Sequence, residues 1–314
     1  MQYRTLGRTG IQVSRLCFGV LTMGPLQENL DIEEGAELIR YAWAKGLNFL
    51  DTAEIYQTYP YIKKALQKKS IRPVICSKSY AVSWQEMKES VERARDEMQV
   101  SEIDIFLLHE QENALTLKGH QGAVEFLIEA RKKGIIKALG LSTHSIAGVM
   151  AGAEHPAIDI IHPLINSRGI GIMDGTAQSM AAAISYAAIK GKGIYAMKVL
   201  GGGNLLNQAH SAFCFALNIP VLSSMAVGMK NRDEIDLNIA WLEGRRNPEL
   251  EARVQGYKRR LHIESWCQGC GSCLDLCRYG ALSIIDQRAE VDSSLCVFCG
   301  YCASGCPDFC IRVI

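Results

Sequence analysis

The chain has 314 residues, a formal net charge of +1, and charged side chains at 21% of positions. A balance this close to neutral leaves no basic footprint for nucleic acid, and no apolar run is long enough to span a bilayer as a helix. The length suits one large α/β unit, and 12 cysteines are more than such a unit needs. No charged-then-apolar leader precedes the first strand-like segment, so nothing indicates an oxidising compartment, and a cytoplasmic location is expected.

In chain order, residues 1–6 and 11–15 flank Gly7-Arg8-Thr9-Gly10, a hairpin signal. Short β-rich segments then alternate with longer amphipathic ones. The strand segments are 16–18, 47–50, 74–77, 103–108, 136–141, 158–161, 194–197 and 221–223, and helix-like stretches include 31–45, 83–99, 119–133 and 176–190. Eight strands, each followed by a helix or loop, predict a (β/α)8 TIM barrel whose lower end the hairpin plugs. An open dinucleotide-binding sheet would want a glycine-rich turn after its first strand, and no G-x-G-x-x-G stands there.

Polar residues close the second, third and fourth strand segments. Asp51 ends the second and Tyr56 follows it, Lys78 ends the third, and His109 ends the fourth. The C-terminal ends of barrel strands form the face that carries active sites. Any one of these side chains alone is more often a hydrogen-bonded structural residue. Together they make a proton-handling set. Tyrosine has a reference pKa of about 10, a nearby ammonium favours its ionised form, and a carboxylate keeps that ammonium charged and placed. The roles that follow are Tyr56 as acid/base, Lys78 as its tuner, Asp51 as the partner of Lys78, and His109 as the donor that orients a carbonyl.

Over residues 1–241 the chain resembles the aldo/keto reductase family. The resemblance rests on the opening Tyr3-Arg4-Thr5-Leu6-Gly7-Arg8-Thr9-Gly10, the Asp51/Tyr56/Lys78/His109 tetrad, Gly140-Leu141-Ser142-Thr143, and Ala226-Val227-Gly228-Met229. It implies hydride transfer between NAD(P)(H) and a small carbonyl or alcohol. It also implies cofactor contacts from Ser142, Thr143, His162, Met197, Lys198, Gly228, Lys230, Glu234 and Asn238. Three departures stand among these. Ser142-Thr143 and His162 replace the Ser-Asn and Gln that hold the nicotinamide amide in the family, and Met197 replaces the stacking tyrosine. Glu234 occupies the position where NADP-specific members carry a cation, which favours NAD. Lys230 and Arg232 nevertheless lie close enough in sequence to reach a phosphate, and all three charges read equally well as solvated residues opening a helix.

A charged stretch at 242–265 reads as a linker helix, packed in part against an acidic tail, and a second domain follows at 266–314. That domain carries Cys267, Cys270, Cys273, Cys277 and then Cys296, Cys299, Cys302, Cys306, the last followed by Pro307. Both runs read C-x-x-C-x-x-C-x-x-x-C, the spacing of a bacterial ferredoxin with two [4Fe-4S] clusters, in which the fourth cysteine of each run ligates the other cluster. The expected sets are therefore Cys267, Cys270, Cys273 with Cys306, and Cys296, Cys299, Cys302 with Cys277. Paired C-x-x-C also serves zinc, but two triplets each with a fourth cysteine fit cubanes better. Arg278 stands where the first run would often carry proline. Cys17, Cys76 and Cys214 lie in apolar surroundings and read as core. Cys310 is either a spare thiol near a cluster or a small buried side chain.

With this tail, an α+β bacterial ferredoxin-like domain, the chain resembles the ferredoxin-fused branch of the family. Part of that domain or the linker is expected to close one side of the pocket. Three functions remain open. One is a carbonyl/alcohol oxidoreductase whose clusters link it to an external one-electron carrier such as ferredoxin. The second is a cluster-driven reductase without nicotinamide, direct or flavin-mediated, and the third an electron carrier whose barrel only docks. A hydride carries two electrons and each cubane one, so two clusters match one hydride.

Overall fold

The computed structural model describes residues 1–67 and 72–314. The chain opens with the antiparallel hairpin β1 (Tyr3–Thr5) and β2 (Gln12–Ser14), followed by β3 (Leu16–Gly19), α1 (Ile32–Ala44), β4 (Phe49–Asp51), α2 (Tyr59–Leu66), β5 (Val74–Ser79) and α3 (Trp84–Met98). It continues through β6 (Ile103–Leu108), α4 (Ala114–Gly119), α5 (Gln121–Lys132), β7 (Ile136–Thr143), α6 (Ile146–Glu154), β8 (Ile160–Pro163), α7 (Ala177–Ile189), β9 (Gly193–Ala196), α8 (Ala209–Leu217), β10 (Ser224–Gly228) and α9 (Arg232–Leu242). The strands β3 to β10 pair in sequence order and close on themselves, β10 against β3, into a parallel barrel. This is the expected α/β TIM barrel.

The apolar pattern explains the closure. In β6, Ile105 and Leu107 point into the barrel while Phe106 and Leu108 point onto the helices, so every position of the strand is buried. A parallel strand covered on both faces needs such a continuous apolar run, and each large side chain so buried contributes roughly 1.5–3 kcal/mol. Leu6 and Val13 from the hairpin fill the lower barrel interior with Cys17, Phe49, Cys76 and Tyr195. Gly7 makes that plug possible. Its φ is +51°, and a Cβ there would meet the Gly193 nitrogen at 2.3 Å.

Several helices begin where short polar side chains cap them. Asp31 accepts from the Glu33 N–H at the start of α1, and Ser83 with Glu86 forms a reciprocal capping box on α3. The single helix expected over 119–133 is instead two. Asn113 caps an earlier start by accepting from Leu115 and Thr116, and His120 separates α4 from α5, its backbone N–H and ring both turned to the Thr116 carbonyl. The eighth strand, expected at 221–223, starts at Ser224. Arg4 of the hairpin donates to the Pro220 and Leu222 carbonyls at 2.7 and 2.9 Å, which commits that segment to the plug rather than to the sheet.

After the barrel come α10 (Pro248–Gln255), β11 (Leu261–Ile263), β12 (Leu282–Ile285), β13 (Arg288–Val291), a short α11 (Tyr301–Ser304) and β14 (Ile311–Val313). The expected linker helix over 242–265 is thus only eight residues long, and β11 pairs antiparallel with β14 inside the small domain. Leu261 and Ile263 are buried on one face with His262 between them, a period of two that a helix cannot satisfy. Two linker arginines pair away from the acidic tail: Arg246 with Glu251 of α10 itself at 2.5 Å, and Arg253 with Asp233 of α9 at 3.1 Å.

The small domain shares its core with the barrel. Ile170, Leu205 and Ala212 pack with Leu261, Phe309, Ile311 and Val313. Gly203, at φ +86°, allows the closest approach, because a Cβ there would lie 1.8 Å from the Val313 carbonyl oxygen. No described helix is long and apolar enough to cross a membrane.

Candidate active site

Register places the tetrad. Asp51 at the end of β4 lies beside Cys76 of β5, and Lys78 two residues on stands beside Leu107 of β6. Lys78 is 1% exposed and donates to both Asp51 oxygens at 2.9 Å and to the Thr52 carbonyl at 2.7 Å. Tyr195 donates to Asp51 Oδ1 from the barrel interior at 2.9 Å. Burial disfavours the Lys78 ammonium, but Asp51 and then Tyr56 reverse this, and the pKa of Lys78 ends above its ordinary value.

Tyr56 sits on a 3-10 turn, Glu54–Tyr56, that follows β4, and Lys78 Nζ is 5.1 Å from its ring centroid. The sequence suggested that Lys78 would lower the phenol pKa. In the structure the pKa is raised: burial outweighs the Lys78 charge, and the Asp51 carboxylate adds to it. The phenol is therefore a protonated acid at neutral pH. His109, just past β6, is buried at 5.9 Å from the Tyr56 ring and stacks on Tyr80 at 4.3 Å. Burial, reinforced by Lys78, holds its pKa well below the usual histidine value, so the imidazole is neutral. Its Nδ1 is buried with no hydrogen-bond partner among the described residues.

Asp51 and Tyr56 line a groove that runs from them and His162 past Met197, Lys198 and Gly228 to Lys230, Glu234 and Asn238, with Lys78 bonded to Asp51 and His109 edge-on to Tyr56. Seven of the nine expected cofactor contacts thus lie on one groove. Ser142 and Thr143 do not. The Ser142 hydroxyl accepts from the Glu110 N–H at 2.9 Å, and Thr143 Oγ1 accepts from the Ser145 N–H at 3.0 Å, so the first holds the loop after β6 and the second the loop after β7. His162 Nδ1 bonds to the Tyr195 carbonyl at 2.7 Å, which leaves Nε2 as the acceptor. Burial moves its pKa down to about 4.

At the far end Glu234 accepts from the Lys230 N–H at 2.9 Å, while the Lys230 ammonium pairs with Glu28 at 2.9 Å. Arg232 is exposed, lies 5.0 Å over the Tyr41 ring, and does not line the groove. Arg259 does, with Tyr257 and Lys258, and the small domain closes the tetrad end with Arg312 and Val313. Sequence reading put Arg259 on a solvated linker and gave Arg312 no role. Only tertiary docking brings either to the groove.

The cysteine runs form two concavities. Cys267, Cys270, Cys273 and Cys306 line one, and Cys277, Cys296, Cys299 and Cys302 line the other. The fourth cysteine of each run has crossed to the other set. The thiols influence one another accordingly: burial, then Cys299, Cys277 and Cys296, push Cys302 up to about 12. Backbone N–H groups point at the sulfurs, from Ala281 to Cys277 at 3.3 Å and from Ala289 to Cys267 at 3.5 Å. Among the described residues no three His, Cys, Asp or Glu side chains converge on a point that would hold a single metal ion. Each thiolate of a cubane binds its own iron, so four sulfurs spaced around a volume fit a cluster better than one ion. Cys310 lines the first concavity with its sulfur 3.2 Å from that of Cys306, while Cys17 and Cys76 are buried in the barrel and Cys214 is half-buried on α8.

The aldo/keto reductase family profile matches residues 15–213. A probable aldo-keto reductase 1 of Glycine max is 26% identical over 199 residues, which cover 54% of this chain and 57% of that protein. Aldo-keto reductase YhdN of Bacillus subtilis is 26% identical over 162 residues, 46% of this chain and 48% of the relative. The chain thus spans about half the length of these two curated relatives. A crystal structure of an aldo-keto reductase from Pseudomonas aeruginosa superposes with a TM-score of 0.67 at 25% identity, covering 77% of this chain and 95% of that one. On the closed eight-stranded barrel and a profile match across most of it, the chain belongs to the aldo/keto reductase family.

Proposed function

We propose that this chain is an iron-sulfur oxidoreductase of the ferredoxin-fused branch that interconverts a small carbonyl and its alcohol. A nicotinamide dinucleotide would occupy the groove and two [4Fe-4S] clusters the small domain. The observation that carries the reading is that Asp51 and Tyr56, backed by Lys78 and His109, stand at one end of a groove that the strand after the second cysteine run helps to close.

The neutral His109 ring holds the carbonyl oxygen through a ring N–H, and Tyr56 gives that oxygen its phenolic proton. A phenolate then forms beside Lys78, whose charge Asp51 and the Thr52 carbonyl have already fixed in place. In the reverse direction the phenolate takes the alcohol proton back. His162, through its Nε2 acceptor, and Met197 would hold the amide and the ring face of a nicotinamide. Glu234 suits a free 2′-hydroxyl better than a 2′-phosphate, which gives a weak preference for NAD(H), opposed by Arg259 nearby. When bound, the nicotinamide supplies a hydride and the clusters exchange single electrons with an external carrier such as ferredoxin.

A second reading, electrons passing from the clusters to substrate directly or through flavin, is favoured by one observation: neither Ser142 nor Thr143 lines the groove where a nicotinamide amide would lie. Anaerobic purification tests both parts. About eight iron and eight sulfide per chain are expected, with NADH-dependent aldehyde reduction. Zinc without sulfide would remove the clusters from the proposal, and tighter binding of flavin than of NADH would favour the second reading.

A further inference from the structure

Two cations stand at the tetrad end of the groove that the proton chemistry above does not use. Lys198 follows β9 with a positive φ of 56°. Its ammonium nitrogen lies 3.0 Å from His144 Nε2 and 4.0 Å from the centroid of the Phe309 ring, which is contributed by the small domain. Arg312 reaches the same wall from β14. It pairs with Glu264 at 2.9 Å, and its Nε is buried with no hydrogen-bond partner among the described residues. The positive charge of Arg312 is felt at Tyr56 and that of Lys198 at His109, so both lie near the reacting groups.

Arg312 has Glu264 as its partner, but no nearby carboxylate forms an ion pair with Lys198 among the described residues. Glu110 accepts from the Tyr80 hydroxyl at 2.6 Å, and Glu264 is shared between Arg312 and His262, 3.2 Å away. Neither Glu110 nor Glu264 lines the groove. Asp51, which does, has both oxygens on Lys78. Among the described residues Lys198 forms no ion pair with a carboxylate, and burial, then Arg312, push its amine well below the ordinary lysine value. A buried cation without a counter-ion is unfavourable, and an anion that enters the groove supplies one and restores the ammonium.

We propose that Lys198 and Arg312 bind an anionic group, the carboxylate of an oxo-acid substrate whose carbonyl is presented to Tyr56. The small domain would then supply part of the substrate site as well as the cysteines. The proposal rests on the reading of the barrel as a carbonyl reductase and names the substrate class of that site. The same chemistry would also hold the diphosphate of a dinucleotide, so the two anions must be told apart.

The test uses anaerobic full-length protein with its clusters, NADH, and two aldehydes, 4-carboxybenzaldehyde and its methyl ester. In Lys198→Met and in Arg312→Met, the ratio of kcat/KM for acid over ester is expected to fall about ten- to a hundredfold, the worth of one charged hydrogen bond. Lys198→Arg should restore much of the ratio. An unchanged ratio overturns the proposal. So does an unchanged ratio with a weakened NADH Kd, which would assign the cations to the diphosphate. If the wild type reduces neither aldehyde, the reductase reading fails, and calorimetry with terephthalate still decides the anion site: saturable binding lost in Lys198→Met supports it, and no binding overturns it.

Discussion

Lys78→Met should unfold the barrel more readily as well as slow it chemically. The change removes three hydrogen bonds, two to Asp51 at 2.9 Å and one to the Thr52 carbonyl at 2.7 Å. Asp51, 5% exposed, would keep only the Tyr195 hydroxyl as a strong donor. Breaking a buried pair by deleting one partner costs about 3–5 kcal/mol, a large share of the roughly 5–15 kcal/mol that holds a domain. Adding Asp51→Asn removes the orphaned charge and should recover part of the loss, a coupling of about 0.5–3 kcal/mol. The pKa of Lys78 is raised above its unfolded value, so the stabilisation is complete below about pH 10 and is lost only as pH climbs through the folded-state value. Urea unfolding under anaerobic conditions, followed by circular dichroism, should therefore show a gap between wild type and Lys78→Met that is constant from about pH 6 to 9. A loss below about 1 kcal/mol, or a gap that closes across that range, would refute the view of Lys78 as the buried keystone of the site.

Cys277→Ala should leave about four iron atoms per chain and abolish the spectroscopic signature of the cluster held by Cys296, Cys299 and Cys302, despite its position in the first run. Loss of the other cluster would show that the ligands do not cross. Glu234→Lys should move the NADPH/NADH affinity ratio about tenfold toward NADPH in equilibrium titrations, because a cation then meets the 2′-phosphate. An unchanged ratio would mean that Arg259 already governs the choice. His162, moved down to about 4 by burial, is neutral when folded and gains a proton on unfolding below its reference value of about 6.5. Its contribution to stability should be flat above that pH and about 2 kcal/mol less favourable at pH 5, and His162→Gln should remove that part of the acid slope in urea melts.

What the sequence reveals follows from the range of the forces involved. Periodicity and caps are local, so α1 and α3 fall within a residue of the expected 31–45 and 83–99, the cap residues Asp31 and Ser83 included. The tetrad was legible because strand ends in a barrel all face one way. Shifts came where a distant partner decides, as Arg4 does for 220–222 and as β14 does for 261–263. The same holds in the site. The direction of the Tyr56 pKa is set by burial, which outweighs the Lys78 charge, and spacing cannot give burial. Ser142 and Thr143 carry the right hydroxyls in the expected place, yet they accept from N–H groups of the loops after β6 and β7 and do not line the groove. Arg312 and Phe309 reach the tetrad only because the small domain folds back onto Gly203, more than 100 residues earlier in the chain.

The central claim is that the barrel performs proton-coupled carbonyl chemistry through Tyr56 beside clusters it does not ligate. Tyr56→Phe, assayed anaerobically for NADH-dependent aldehyde reduction alongside iron content and dithionite reduction of the clusters, tests it most directly. The account predicts a loss of about 100- to 10,000-fold in turnover with iron content and cluster reduction unchanged, since one hydroxyl is removed and no thiolate is touched. Near-normal turnover in that variant would contradict it and point to protons delivered from elsewhere.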